Sequence, residues 1–180
     1  MKRCKWVNLK NKIYVDYHDN EWGKEEHEDR MLFELLILEG FQAGLSWECV
    51  LNKREYFREA FDNFDYIKIS KYDCKKINEL LNNQNIIRNK LKVNAAITNA
   101  KVFIDIQKEF GSFDKYIWSF TDYKVIKNMD DNLKTTSHLS DEISKDLKKR
   151  GMKYVGSTII YSYLQAIGII DDHELSCDLY

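Results

Sequence analysis

Leu38-Glu39-Gly40-Phe41-Gln42-Ala43-Gly44-Leu45-Ser46-Trp47 joins two strongly apolar stretches, and the reading of that junction decides the fold. Upstream, Met31, Leu32, Leu35, Leu36 and Leu38 recur at helical spacing, with Phe33 in addition. A helix apolar nearly all round is a central one, and Gly40 is expected to end it. Downstream, Ser46 is expected to cap a helix that puts Trp47, Val50, Leu51, Phe57 and Phe61 on one face. A glycine-hinged turn between buried helices can hold side chains rigidly at a pocket mouth. Glu39 would then be a partly desolvated carboxylate. The alternative is a plain interhelical turn with Glu39 capping or pairing at a helix end.

The same pattern continues outward. Asp62-Asn63 breaks the chain before a weaker helix with Ile77, Leu80 and Leu81, and Asn82, Asn83 and Asn85 mark a turn. Val93, Ala96, Ile97, Ala100, Phe103, Ile104 and Phe110 define a long helix stopped by Gly111. Ser112 restarts a short helix with Ile117 and Trp118, and 121–138 reads as a loop. Ser140 is expected to cap a helix closed by Gly151, and Ser157 to cap the last one, ended by Gly168. Residues 1–26 are dense in Trp, Tyr and polar groups without helical period, and read as an irregular arm laid on the core. Val15 and Val125 sit in the only stretches resembling strands. The class is all-α, built of many short helices in a single domain over 1–180.

The 180 residues carry 44% hydrophobic and 32% charged residues and a formal net charge of −1, so there is core enough for one domain and no global polycation signal. No window reaches the apolar length of a membrane span, and Met1 to Trp6 lacks the apolar core of a signal peptide. The expectation is a cytoplasmic protein with no membrane partner, in which the four cysteines are reduced.

Three constellations could carry chemistry. His173 and Cys177 are four apart, and Cys4 and His18 lie toward the other end. They are either two unrelated pairs or a Cys₂His₂ set suited to a structural tetrahedral zinc that ties the ends together. Between Glu79 and Asp105 there is no acidic residue, while Arg88, Lys90, Lys92 and Lys101 occur there. A helix, an Asn-rich turn and a second helix N-terminus form a phosphate-binding arrangement, or else an ordinary solvated helix pair. Finally, Tyr14, Tyr17, Trp22 and Trp47 would surround Glu39 if the N-terminal arm folds over the junction, giving rings on which a planar cationic base stacks.

These segments together resemble the 3-methyladenine DNA glycosylase I family of the helix–hairpin–helix DNA glycosylase superfamily. The matching stretches are Arg3-Cys4-Lys5-Trp6, Tyr17-His18-Asp19-Asn20-Glu21-Trp22-Gly23, Leu38-Glu39-Gly40 with Gln42 to Trp47, and Ile86-Ile87-Arg88. Further on they include Trp118-Ser119-Phe120, Lys148 to Gly151, Tyr154-Val155-Gly156, and Asp172-His173 with Cys177. The resemblance implies excision of 3-methyladenine from alkylated double-stranded DNA by a monofunctional, monomeric bacterial enzyme located with the nucleoid. It implies Cys4, His18, His173 and Cys177 as Zn²⁺ ligands, Glu39 as the acid on the bound base, and Tyr14, Tyr17, Trp22 and Trp47 as the pocket rings. It also implies DNA contacts from Gln42, Gly44, Leu45, Asn85 and Arg88. Asn85 departs from the glycine common in the family's hairpin, and the expectation is that Asn tolerates a left-handed backbone there. The rival readings are a zinc-stapled DNA-binding domain without catalysis and a helical protein-interaction domain.

Overall fold

The computed structural model describes residues 1–129 and 134–180; the loop reading at 130–133 lies outside them. In chain order the helices are α1 (Lys12–Asn20), α2 (Asp29–Gln42), α3 (Trp47–Leu51), α4 (Arg54–Ala60), α5 (Tyr66–Ile69) and α6 (Cys74–Asn82), then α7 (Lys90–Phe110), α8 (Phe113–Ser119), α9 (His138–Lys149) and α10 (Ser157–Ala166). A parallel pair of two-residue strands, β1 (Ile126–Lys127) and β2 (Ile170–Asp171), is a small addition to a helical fold.

The central-helix reading of α2 holds: every residue from Leu32 to Phe41 is buried. Gly40 does not end it. The helix runs on to Gln42, and the site where a Gly40 side chain would begin is 3.4 Å from the Tyr154 Cβ. Glycine within a helix costs about 1 kcal/mol, which burial of its apolar neighbours offsets many times over. Ser46 caps α3 as expected, accepting from the Cys49 amide. The single helix expected after it is two, α3 and α4, ended by left-handed Asp62, Asn63 and Phe64, a reversal that buries Phe64.

Three other boundaries differ. Residues 12–20 are helical, so Val15 lies in a helix, not a strand: Asn11 accepts from the Ile13 and Tyr14 amides and nucleates α1. The cap of α9 is Ser137, while Ser140 returns the second bond of a capping box. Gly156, not Ser157, precedes α10, without a side-chain cap. The long helix α7 and its left-handed Gly111 stop are as read.

Two features fix the walls of the site. Glu34 of α2, fully buried, accepts from Arg54, Arg58 and Arg30, and Arg54 reaches on to Glu21 at 2.6 and 2.7 Å. This network ties α2 and α4 to the segment just after α1. Gly168 (φ 75°) allows the chain after α10 to run against Lys24: a Cβ there would stand 2.3 Å from the Lys24 carbonyl carbon.

Candidate functional site

The large apolar core and a smaller cluster around Cys4, Tyr17, Trp22, Leu51 and Cys177 meet at Trp47, which packs against both. Beside it opens a cavity of about 740 Å³, within the range of small-molecule sites. Asn11 docks α1 on α3 by donating to Glu48 and Asn52 at 2.8 and 2.9 Å. Tyr14 and Tyr17, three apart on that helix, therefore face the same way. With Trp22 and Trp47 they line the cavity, and Glu39 and Gln42 of α2 enter it as well. The expectation that Glu39 and the four aromatics share one space is met. Trp6 completes the ring wall, edge-on to Trp22 at 4.9 Å. Nothing but the aromatic density of residues 1–26 signalled it.

The polar groups of this cavity are unusual. Burial alone pushes the Glu39 carboxyl from its ordinary 4.5 up to about 8. Among the described residues its Oε2 has no hydrogen-bond partner, and the buried Trp47 Nε1 has none either. Native proteins satisfy most buried polar atoms, so exceptions call for an explanation. An acceptor and a donor, both unspent, on an aromatic-walled space can hold the edge of a flat heterocycle. Burial, and then the charge of Glu39, keeps the Tyr17 phenol well above its ordinary range. On the far wall Asp172 is held by Asn128, Tyr161 and Gln165. No sequence signal placed Asp172 there. Asp105, by contrast, pairs with Lys108 on an exposed surface.

Next to the cavity, Cys4, His18 and Cys177 present donor atoms that all lie within 4.8 Å of one another. Burial, reinforced by the Cys177 thiol, pushes the Cys4 thiol up to about 12, since two adjacent thiols do not ionise without a cation. His18 Nδ1 meets Asp19 at 2.9 Å, and Asp19 in turn is gripped by Arg3 at 2.6 Å. His173 Nδ1 meets Asp171 at 2.7 Å, and its buried Nε2 has no partner among the described residues. Both imidazoles thus spend Nδ1 on a carboxylate, the orientation found where Nε2 is a metal ligand. Three of the four expected ligands form the cluster; His173 lies beside it, its ring centre 5.4 Å from that of His18.

The DNA-contact candidates fall into two groups. At the junction, Gly44 (φ 80°) has open space where a side chain would stand, and Leu45 is 42% exposed beside it. In the turn after α6, Arg88 is exposed and has no ion-pair partner among the described residues. Asn85 is not in the left-handed region, contrary to expectation; its amide donates to the Asn83 side chain at 2.9 Å, so an Asx turn shapes the backbone. In the matching stretch Lys148 to Gly151, Arg150 is paired with Glu109 and Asp146.

Known proteins resemble the chain over nearly its whole length. The chain is 44% identical over 178 residues to the DNA-3-methyladenine glycosylase of Haemophilus influenzae, covering 97% of this chain and 96% of that protein. It is 40% identical over 183 residues to DNA-3-methyladenine glycosylase 1 of Escherichia coli, covering 100% and 97%. A crystal structure of 3-methyladenine DNA glycosylase I superposes with a TM-score of 0.95 at 42% identity, over 99% of this chain and 100% of that one. The Staphylococcus aureus enzyme, solved to explain 3-methyladenine recognition, superposes with a TM-score of 0.93 at 32% identity, over 99% and 96%. The Methyladenine glycosylase family model matches residues 6–180, from Trp6 on one wall of the cavity past Glu174 on the other, and the chain belongs to that family.

Proposed function

We propose that this chain repairs alkylated double-stranded DNA by hydrolysing the N-glycosidic bond of 3-methyladenine, releasing the base and leaving the strand uncut. The observation that carries the reading is the pair of unspent polar atoms, Glu39 Oε2 and Trp47 Nε1, inside an aromatic cavity.

The lesion leaves the base stack at a cost of a few kcal/mol. Leu45, exposed at the glycine-tipped junction, fills the gap with Gln42 at the cavity rim. The extruded ring stacks among Tyr14, Tyr17, Trp22 and Trp47. Methylation makes the base cationic, and a cation favours the charged form of Glu39, drawing its pKa down from about 8. A neutral adenine provides no such charge, so the site selects the lesion by electrostatics. Because the methylated base departs as a neutral molecule, its bond needs little acid catalysis. Glu39 selects and orients.

The turn over Asn83–Asn89, between α6 and α7, would be the hairpin of a helix–hairpin–helix element and grip the backbone, with Arg88 facing a phosphate. Cys4, His18, His173 and Cys177 would hold a zinc ion. Four protein ligands leave no open position, so the ion would supply no chemistry at the base and would fasten the aromatic arm to the tail. The chain would act as a monomer. No helix of the described residues is long and apolar enough to cross a membrane.

The test is chromatography of the bases released from methylated duplex DNA. Free 3-methyladenine, with intact strands, is the expected result. A protein that binds the duplex but frees no base would leave only the non-catalytic DNA-binding reading.

A further inference from the structure

The junction after α2 is held from outside. The Leu45 amide returns to the Gln42 carbonyl at 2.7 Å, but Ala43 (φ −47°, ψ 115°) turns the chain away from the helix. The carbonyls of Phe41 and Ala43 are taken instead by Lys92 Nζ, at 2.8 and 2.6 Å. Lys92 is 7% exposed and its Nζ lies 5.9 Å from the centre of the Tyr154 ring. Burial lowers its pKa, yet an ammonium at a helix C-terminus is well placed against the dipole and the free carbonyls.

Its position in the chain gives the contact further meaning. Lys92 is in the first turn of α7, whose cap, Asn89, is the last residue of the Asn83–Asn89 turn. A second tie runs the other way: Lys53, at the head of α4, donates to the Asn85 carbonyl at 3.0 Å. The helix that follows the phosphate-gripping turn is thus bound to the junction that would enter the duplex by the two Lys92 contacts, and Lys53 ties the turn itself to the head of α4.

We propose that Lys92 is a positioning residue for base excision, fixing the Gln42–Leu45 junction against the Asn83–Asn89 turn so that DNA is gripped and wedged in one register. The proposal rests on the function given above. Lys92 does not line the aromatic cavity, so its loss separates positioning from base binding.

Lys92→Met keeps the unbranched stem as far as Cε and removes the ammonium. Free 3-methyladenine, followed by tryptophan fluorescence, should bind this variant within about twofold of wild type, while single-turnover release from methylated duplex falls roughly tenfold to a hundredfold, the usual cost of displacing a positioned group by about 1 Å. Amide exchange at Leu45 should quicken. Release at the wild-type rate, or a loss of free-base affinity equal to the loss of release, overturns the proposal. If Lys92→Met yields no folded protein, Lys92→Gln, which keeps a donor without the charge, is read by the same measurements with the same meaning. A wild-type protein that releases no base strikes the proposed function alone, and Leu45 exchange in the variant then decides whether Lys92 holds the junction.

Discussion

Glu39→Gln should make the protein more stable and less active, with the gain in stability depending on pH. Burial raises the Glu39 carboxyl from 4.5 to about 8, so between those values the folded chain holds a proton that the unfolded chain has lost. Stability contributed by this group therefore falls as pH rises through that window, and the penalty is complete above pH 8. At about 1.4 kcal/mol for each tenfold change in proton affinity, the ceiling is roughly 5 kcal/mol. Glutamine fills the same space without ionising. In urea melts, the advantage of the variant over wild type should be small at pH 4.5 and grow by several kcal/mol by pH 8.5. Groups common to both proteins cancel in that difference. Release of 3-methyladenine should fall sharply, a trade of stability for function common at binding sites. A stability difference that does not change with pH, or undiminished release, would refute the reasoning.

Trp47→Phe removes a buried donor that has no partner among the described residues; stability should hold or rise, while affinity for free 3-methyladenine, measured by calorimetry, drops by about 1 kcal/mol, the net worth of one hydrogen bond. Glu34→Ala strips the shared partner from Arg54 and Arg58, and chemical denaturation should show a loss of about 3–5 kcal/mol, as for other broken buried pairs. Metal analysis of protein purified without chelator should find one zinc per chain, reduced in Cys177→Ser; chelation should lower the melting temperature and, by loosening Trp6 and Trp22, weaken base binding.

How much of this was legible in the sequence depends on where each residue's environment comes from. Helices α2 and α7 bury broad apolar faces, and composition carries that directly. The caps Ser46 and Ser112 are local, short-range chemistry. Helix α1 was hidden because its apolar groups pack on distant partners: Trp6 and Trp47 cover its tyrosines, and Glu48 and Asn52 hold Asn11. Gly40 misled because a glycine's preference to stop a helix is worth less than the core around it. The metal-type corner could be suspected from residue types, but only the fold brings Cys4 to Cys177. The unpaired state of Glu39 and the role of Lys92 depend on what is absent around one carboxylate and on two backbone carbonyls 49 and 51 residues away. Neither leaves a trace in spacing.

The cavity walls have an implication for synthesis. Trp6 stands at one side of the base site and Glu174 at the other, and the Glu174 amide donates to Cys4 across 170 residues of chain. At about 5–20 residues per second, roughly 10–30 s separate the emergence of those two walls from the ribosome. Until the second arrives, Trp6, Trp22 and Cys4 have no tail to pack against, while α2 and α7 can already bury their faces. A chain cut short after α10 would keep most of its core and its basic turn yet lack a closed base site. The base site is thus the last part of the fold to be completed.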